Sequence, residues 1–367
     1  MVVTYPSFIF YKYLGWGMHK TSKLLPKAIS LAAIFGAFFL TACGNNTRQT
    51  EIEYYSEKYS VPEDKQLIIY TSHKEEVYLP IIREFENRTG IWVEIYSGGT
   101  TEMFEKVAQA SEEGACDIMF GGGAESYEAN KDLFVAYQAY GKELLDETYL
   151  SEDNLWTPFT ELPIVFVYNS KLVAAENAPK SWSDLFDEKW KGQIAFADME
   201  VSGTSYTIMS IMEQLFDEDL DSLIPRFYEQ LDGNVLSSSG DIIPSVVSGE
   251  YLMGITLEET AKKYIKNGYD ITMVYPEDGT SALPDACAMV KNAPHSYNAG
   301  KFIDFIVSLD TQQYAMEEFS RRPVRSDVTL SDGYGSFTLI DFDIKKSAQE
   351  EKHAMELWNS LTAEGGQ

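Results

Sequence analysis

Three units of strand, polar loop and helix within residues 67–126 constrain the fold of this chain more than any other stretch. The apolar, β-branched runs 67–70, 92–96 and 117–120 each end in a loop of small polar residues or glycine, and each loop opens a helical pattern. Strands that alternate with helices in this way are typical of a parallel sheet with crossover helices. Because open α/β sheets bind ligands at the carboxyl ends of their strands, the stretch predicts one half of a binding cleft.

The length and charge of the chain restrict its organisation and its partners. A chain of 367 residues can form two domains with proper cores. Its 29 basic and 57 acidic residues give a formal net charge of −28, which argues against nucleic acid and anionic membrane surfaces as partners. A small anionic ligand would have to be held by local dipoles and a few cations, because the overall field repels it.

The N-terminus has the composition of a targeting segment. Lys20, Lys23 and Lys27 precede the apolar run 28–40, which is short for a membrane span and leads into the sequence Leu-Thr-Ala-Cys ending at Cys43. This pattern looks like a bacterial lipobox and predicts a lipoprotein signal at 1–42, a lipidated Cys43 and a flexible tether at 43–64. The alternative is an uncleaved anchor with an incidental cysteine.

Two long extended segments predict crossings between two lobes. The run 157–173 has no helix after its first half, and the run 282–290 has the same character. We therefore expect a first lobe at 65–163, a second lobe at 164–283 and C-terminal helices at 284–367 that return to the hinge and the first lobe.

Five loops combine small hydroxyl residues and glycine immediately before a helix. The first turn of a helix leaves backbone N–H groups unpaired, and its dipole favours negative charge. For any one loop, ordinary helix capping is the better explanation. Five together, at strand ends in two separate segments, predict an anion site that needs no net positive charge. The candidate ligand-binding residues in these loops are Thr71, Ser72, His73, Ser97, Gly98, Gly99, Thr100, Gly122, Gly123, Ser202, Gly203, Thr204, Ser205, Ser238 and Ser239.

Charged residues extend the candidate site. Glu258 and Asp285 are candidates to accept hydrogen bonds from ligand hydroxyls, with solvated surface carboxylates as the alternative. Arg322 and its neighbour Arg321 have the geometry to bind a phosphate bidentately, although structural ion pairs are an equal alternative in so acidic a chain. His73 follows a strand, so we expect it in the cleft rather than in the core.

Motifs for catalysis or metal binding are absent from the sequence. It has no G-x-S-x-G elbow, no H-E-x-x-H motif, no phosphate-binding P-loop and no cluster of cysteine and histidine. Cys116 and Cys287 stand in apolar runs, which favours two buried thiols over a disulfide. We therefore expect a binding protein that is not an enzyme and that has no metal or cofactor.

The motifs together give a family resemblance. With its lipobox, YTSHKEE, SGGT, GGGAES and SGTSYT, the chain resembles the extracellular solute-binding lipoproteins of ABC transporters over about residues 66–328. The branch in question contains ferric-iron-binding, phosphonate-binding and hexose-phosphate-binding members. The resemblance implies a two-lobed, type II periplasmic-binding-protein-like α/β clamshell in which each lobe is a mainly parallel sheet flanked by helices, with two crossing hinge strands. It also implies an ABC permease and ATPase as partners, or a sensor kinase, and membrane attachment by the lipid anchor only, at the extracellular face of the cytoplasmic membrane or in the periplasm.

The resemblance also bears on the ligand. Iron-binding members carry an adjacent tyrosine pair in the second lobe, and Thr256 and Leu257 stand at the corresponding place here. Ferric iron prefers anionic oxygen ligands, so this departure counts against iron. The serine- and glycine-rich loops are similar to those of the sugar-phosphate and phosphonate relatives, which implies a phosphate at helix N-termini and sugar hydroxyls bound by Glu258 and Asp285. We expect a small phosphorylated solute, with ferric-iron transport and ligand sensing for a histidine kinase as alternatives.

Overall fold

Residues 60–365 are described by the computed structural model, and they form eleven β-strands in two sheets and ten α-helices. The predicted signal segment 1–42, the predicted lipidation site Cys43 and most of the predicted tether 43–64 lie outside the described residues. None of the described helices is both long enough and apolar enough to span a membrane.

The strands and helices alternate along most of the chain. The strands are β1 (Gln66–Thr71), β2 (Trp92–Ser97), β3 (Ile118–Gly123), β4 (Phe134–Val135), β5 (Thr157–Glu161), β6 (Ile164–Asn169), β7 (Ile194–Ala195), β8 (Met253–Leu257), β9 (Ile271–Val274), β10 (Pro284–Val290) and β11 (Arg322–Pro323). The helices are α1 (Glu75–Thr89), α2 (Thr100–Glu113), α3 (Ala124–Ala129), α4 (Gly203–Phe216), α5 (Leu220–Gln230), α6 (Ile242–Ser248), α7 (Glu258–Lys266), α8 (Ser296–Ile306), α9 (Leu309–Phe319) and α10 (Ile344–Gly365).

The first sheet has the strand order β11-β5-β10-β3-β1-β2, with β4 also paired to β10. Strands β1, β2 and β3 are parallel to one another, as the alternation within 67–126 predicted. Helix α1 buries the stripe Val77, Ile81, Ile82 and Phe85, although Pro80 lies past its first turn. The helix ends at Gly90, whose φ of 64° is the left-handed conformation that glycine adopts most readily.

The second sheet has the order β7-β8-β6-β9, and its pairing corrects the prediction that each lobe is mainly parallel. Only β7 and β8 are parallel there, whereas β6 runs antiparallel to both β8 and β9. In the first sheet, β10 is antiparallel to β3, β4 and β5. The physical reason is the direction of entry, because β10 arrives from the second sheet at the edge where β3 ends, and Asp285 pairs with Gly123 there.

Two chain segments cross between the sheets, as the sequence predicted. Strand β5 continues through Leu162 and Pro163 into β6, and residues 280–283 lead into β10. The two crossings are bonded to each other, since Leu162 N–H donates to Leu283 O at 3.3 Å and the Thr280 hydroxyl donates to Ile164 O at 2.8 Å. We call each sheet with its flanking helices a lobe and this pair of crossings the hinge.

A third crossing was not predicted. Residues 326–339 return from the first lobe to the second, and Thr280 bridges Leu339 beside the hinge. Helix α10 then adds Ala354 and Trp358 to the buried core of the second lobe, which also contains Phe166. Helix α10 also packs against α3, so it contacts the first lobe, where residues 284–367 were expected to return, as well as the second. Both cysteines in the described part of the chain, Cys116 and Cys287, are buried and free, as predicted.

Candidate functional site

A cavity of about 340 Å³ lies between the two lobes and is lined by residues of both. Its walls are strand ends and helix starts, which is where the predicted cleft loops lie. Twelve of the eighteen predicted ligand-binding residues line it: Ser72, His73, Gly99, Thr100, Gly122, Gly123, Ser202, Gly203, Thr204, Ser205, Ser239 and Asp285.

Two long helices begin beside each other at the wall of this cavity. Thr100 is the first residue of α2 in the first lobe, and Gly203 is the first residue of α4 in the second lobe. A Cβ atom on Gly203 would lie 3.9 Å from Thr100 Oγ1, so the two helix starts nearly touch. Gly99, which precedes α2, has no side chain to accept from the first-turn N–H groups. Two positive helix ends therefore converge on one space, an arrangement that a bound anion stabilises.

The positive φ of Gly121 brings two loops of the first-lobe wall close together. Its φ of 103° is one that side chains rarely adopt, and a Cβ atom there would lie 2.8 Å from Ser72 Oγ. Glycine at this position therefore lets the loop after β3 pass close to the loop after β1. This close approach is one reason for the glycines in GGGAES.

Six predicted residues do not line the cavity: Thr71, Ser97, Gly98, Ser238, Glu258 and Arg322. The hydroxyl of Thr71 donates to Phe120 O at 2.7 Å and accepts from His73 N–H at 3.1 Å, so it fixes the turn after β1. The hydroxyl of Ser238 accepts from Gly240 N–H at 3.1 Å, which is ordinary capping. At these positions, turn formation and capping explain the residue type completely.

Glu258 and Arg322 bind each other rather than facing the cavity. Arg322 Nε donates to Glu258 Oε2 at 2.7 Å, and Arg322 Nη2 donates to Glu258 Oε1 at 3.0 Å and to Gly335 O at 2.6 Å. Glu258 is 1% exposed and Arg322 is 5% exposed, so the alternative of a solvated carboxylate is also wrong. Since Arg322 lies on β11 and Glu258 begins α7, this bidentate pair joins the two lobes. We call it the hinge pair.

The residues next to Arg322 and Glu258 in the sequence, Arg321 and Glu259, line the cavity instead. Arg321 Nη2 lies 3.7 Å from Glu259 Oε1. Arg321 Nη1 also donates to Asp285 Oδ2, and Asp285 Oδ1 accepts from the N–H and the hydroxyl of Thr160, both at 2.7 Å. Burial raises the pKa of Asp285, while Arg321 and Thr160 oppose the rise. Asp285 therefore serves mainly to hold Arg321 in place.

His73 is packed beside Arg321 in its neutral form. Its ring meets the edges of Phe120 and Phe159 at centroid distances of 4.4 and 5.8 Å. Burial and the nearby Arg321 charge hold the pKa of His73 well below its ordinary value of 6.5. Its Nε2 atom lies 3.4 Å from Asp285 Oδ2 and, among the described residues, has no hydrogen-bond partner. His73 thus lies at the cavity wall, as expected for a cleft residue.

A buried contact between Glu125 and Thr207 was missed from the sequence. Glu125 lies on α3 in the first lobe, is 3% exposed and accepts a hydrogen bond at Oε1 from the Thr207 hydroxyl on α4, at 2.8 Å. Burial raises the pKa of Glu125. Both residues line the cavity, and we call this pair the cavity contact. The signal was present, because Glu125 is within GGGAES and Thr207 lies one helical turn after Gly203.

The cavity lining contains more acids than bases. The lining carboxylates in the described chain are Glu76, Glu125, Glu259 and Asp285, and the lining cations are Lys74, Lys263 and Arg321. Lys263 Nζ donates to Glu76 Oε1 at 2.6 Å across the cavity mouth. The described residues contain no group of three or more His, Cys, Asp or Glu side chains placed to hold a metal ion.

Comparison with known proteins identifies the family. The family model described as bacterial extracellular solute-binding protein matches residues 116–344. The chain belongs to this family. Its members are binding and transport proteins, so this extracellular solute-binding protein is not an enzyme, as the sequence predicted.

Two relatives and one solved structure illustrate the likeness. Iron uptake protein A1 of Synechocystis sp. is 25% identical over 340 residues, covering 87% of this chain and 91% of the relative. A putative 2-aminoethylphosphonate-binding periplasmic protein of Salmonella typhimurium is 27% identical over 264 residues, covering 68% and 74%. The periplasmic binding protein AfuA of Actinobacillus pleuropneumoniae, with exogenous fructose 6-phosphate bound, has a TM-score of 0.73 at 23% identity, covering 81% of this chain and 98% of that one. This last likeness confirms the predicted type II periplasmic-binding-protein fold.

Proposed function

We propose that this solute-binding protein holds a small phosphorylated solute, a sugar phosphate or a phosphonate, in the cavity between its lobes. The observation that carries the proposal is the meeting of two long helix N-termini, where a Cβ on Gly203 would lie 3.9 Å from Thr100 Oγ1. The first turn of each helix has N–H groups without intrahelical partners, although Ser202 accepts from Ser205 N–H, and the hydroxyl residues Thr204 and Ser205 line the same cavity. This is the usual chemistry of a phosphate site at helix ends.

The charges of the cavity support capture by dipoles rather than by side-chain cations. Lys263 is bonded to Glu76, and Arg321 is bonded to Asp285, so these two lining cations are already compensated. The chain as a whole has a formal net charge of −28. An anion that binds here must gain its stabilisation at short range, from oriented N–H groups and hydroxyls.

The same pairing favours a phosphate over ferric iron in this proposal. Ferric iron needs anionic oxygen ligands, and the lining carboxylates Glu76 and Asp285 are engaged with Lys263 and Arg321. Thr256 and Leu257 line the cavity at the end of β8, at the place where the family resemblance implies a tyrosine pair in iron-binding members. The Salmonella relative named for 2-aminoethylphosphonate supports the phosphonate class, whereas the Synechocystis relative is named for iron uptake.

The closed ligand complex would be presented to an ABC permease with its ATPase, and the protein would be tethered by a lipid on Cys43 at the extracellular face of the membrane. Closure of two lobes about a hinge is the motion that such an arrangement uses. The hinge of this chain has the required form, since two strands cross between the lobes and are bonded to each other.

The ligand is tested by thermal unfolding of the protein with fructose 6-phosphate, glycerol 3-phosphate, 2-aminoethylphosphonate, inorganic phosphate, spermidine and ferric citrate. A ligand at about 100 times its Kd adds about 2.7 kcal/mol to the free energy of unfolding. We expect one or more of the phosphorus-containing compounds to raise Tm. A shift with ferric citrate alone, together with a tyrosinate absorption band, would contradict the proposal.

The position of the anion is tested by Ser202→Asp, with Ser238→Asp as the matched control. Both serines accept a backbone N–H at a helix start, and aspartate caps as well as serine does. Ser202 lines the cavity, whereas Ser238 is exposed outside it. Ser202→Asp places a carboxylate where the ligand anion binds and is expected to abolish the Tm shift, and Ser238→Asp should leave the shift unchanged. Equal Tm shifts in both variants would mean that the anion does not bind at the start of α4.

A further inference from the structure

Glu125 differs from the other carboxylates of the cavity in having no cationic partner among residues 60–365. Glu76 is bonded to Lys263, Asp285 is bonded to Arg321, and Glu259 lies 3.7 Å from Arg321. Glu125 Oε1 accepts from the Thr207 hydroxyl at 2.8 Å. Its Oε2 atom is buried and, within the described part of the chain, has no hydrogen-bond partner. A polar group in this condition is unusual in a folded protein and calls for a function.

The surroundings of Glu125 favour its protonated form. Burial raises the pKa of Glu125 against the opposing hydrogen bonds from its own backbone N–H and from Thr207. The titratable groups that interact with its charge are Glu351 on α10 and Tyr206 on α4, and both are acids. Burial and the neighbouring Glu125 charge raise the pKa of Glu351 to about 7. A carboxylate at Glu125 therefore meets a second carboxyl and no cation, whereas a neutral acid avoids both penalties.

A neutral Glu125 has one O–H, and the contacts assign it to one oxygen. The single hydroxyl hydrogen of Thr207 has two acceptors within reach, Glu125 Oε1 at 2.8 Å and Gly203 O at 3.1 Å, and we assign it to the nearer Oε1. The proton of the neutral acid then belongs on Oε2. A protonated carboxyl donates one hydrogen bond, and Oε2 has no acceptor among the described residues. The side chain lines the cavity near which the starts of α2 and α4 meet. An oxygen of the anion that this cavity is proposed to bind would supply the missing acceptor.

We propose that Glu125 is a specificity-determining residue, a neutral carboxylic acid that donates a hydrogen bond from Oε2 to an oxygen of the bound anion. The inference rests on the proposed function. It has a chemical consequence for selection, because a carboxylic acid at this place favours ligands with an acceptor oxygen and disfavours ligands that present an ammonium group to it. It also couples binding to a proton, because Glu125 must be neutral in the complex.

The coupling gives the sign of the pH dependence. Below its pKa, Glu125 is already neutral and binding takes up no proton at this residue. Above its pKa, each pH unit makes the neutral form ten times rarer, so affinity falls by up to tenfold per unit. Glu125→Gln removes the titration but keeps an acceptor oxygen for Thr207 and an N–H donor in place of the O–H. The ratio of the Kd of the natural protein to that of the variant should therefore rise with pH.

Calorimetric titration with inorganic phosphate and with 2-aminoethylphosphonate, from about pH 5.5 to about pH 8.5, tests this inference. The natural protein, Glu125→Gln and Glu351→Gln are compared, so that the ligand's own ionisation is common to all three. We expect the natural protein and Glu351→Gln to lose affinity relative to Glu125→Gln by up to tenfold per pH unit above the pKa of Glu125. Titrations in two buffers with different ionisation enthalpies should count up to one more proton taken up by the natural protein than by Glu125→Gln.

Three outcomes contradict the inference or its basis. Parallel pH profiles for the natural protein and Glu125→Gln would show that Glu125 does not donate as an acid. Loss of binding at every pH in Glu125→Gln, with a normal Tm, would show that the ligand needs a carboxylate acceptor instead. If Glu125→Gln does not fold, the natural protein alone is measured, and the protons released by phosphate itself are subtracted. Net proton uptake on binding above the pKa of Glu125 then supports the inference, and no uptake contradicts it. Absence of binding by every protein at every pH would overturn the proposed function and this inference with it.

Discussion

Two buried contacts join the lobes, and they treat charge in opposite ways. In the hinge pair, the Glu258 carboxylate receives two N–H groups from Arg322, which also donates to Gly335 O. In the cavity contact, Glu125 receives one hydroxyl from Thr207 and leaves its second oxygen without a partner in the described chain. The hinge pair compensates the charge of its carboxylate with an arginine, whereas the cavity contact leaves one carboxyl oxygen of Glu125 without a hydrogen bond in the described chain.

The difference separates a structural contact from a ligand-binding one. A buried ion pair with complete hydrogen bonding offers nothing to a ligand, and breaking it leaves an uncompensated charge. A buried group with an unused atom can gain a partner when a ligand arrives. The adjacent arginines repeat the contrast, because Arg322 binds Glu258 through both Nε and Nη2 whereas Arg321 keeps an unpartnered Nε at the cavity wall, counted over the described residues.

The strongest test of this contrast is Arg322→Met. The substitution leaves Glu258 buried without its partner, and the expected loss is about 3–5 kcal/mol in the free energy of unfolding. Denaturant unfolding followed by tryptophan fluorescence measures it. The matched control is Lys171→Met, which breaks an ion pair with Asp270 whose side chains are 71% and 55% exposed. That control should change stability by less than about 1 kcal/mol. Similar losses in both variants would contradict a special role for the hinge pair.

Thr207→Val should have an intermediate effect. Valine keeps the shape of threonine but removes the donor to Glu125 Oε1, so a buried carboxyl loses its remaining cross-lobe hydrogen bond. The expected loss is about 1–3 kcal/mol in the free energy of unfolding. Thr207→Ser keeps the hydroxyl and serves as the control in the same denaturant titration, with a smaller expected loss. If serine and valine cost the same, the hydroxyl contributes little and the effect belongs to the packing of α4.

The sequence was sufficient for the features that depend on local pattern. Alternation of β-branched runs with helical stripes predicted β1, β2 and β3, and glycine with serine or threonine before a helix predicted most of the cavity lining. Both signals arise within a few residues of chain. The crossing at 326–339 has no such period, and the contact that places it, between Thr280 and Leu339, joins residues far apart in the chain.

Side-chain direction was the feature that the sequence could not supply. Glu258 and Glu259 are adjacent on α7, yet one faces the hinge and the other faces the cavity, because successive helical residues point about 100° apart. Arg322 and Arg321 divide in the same way at β11. Which member of each pair faces the ligand depends on how α7 and β11 are rotated against the hinge, and that rotation is set by tertiary contacts.

The smallest expected effect, and the sharpest test of the cavity contact in the absence of ligand, is the pH dependence of stability in Glu125→Gln. Because burial raises the pKa of Glu125 above its ordinary value of 4.5, the folded protein binds this proton more tightly than the unfolded chain does. Stability of the natural protein therefore falls as pH rises from the ordinary pKa through the raised one, and Glu125→Gln lacks this fall.

We expect Glu125→Gln to match the natural protein at acid pH and to exceed it by less than about 1 kcal/mol at alkaline pH, measured as Tm across the pH range. The exposed Glu176→Gln variant is the control and should follow the natural protein throughout. A Glu125→Gln variant that is less stable than the natural protein at alkaline pH would mean that the carboxylate is stabilised by a partner. The hinge pair and the cavity contact would then both have compensated charges, and the unused oxygen would no longer mark the ligand site.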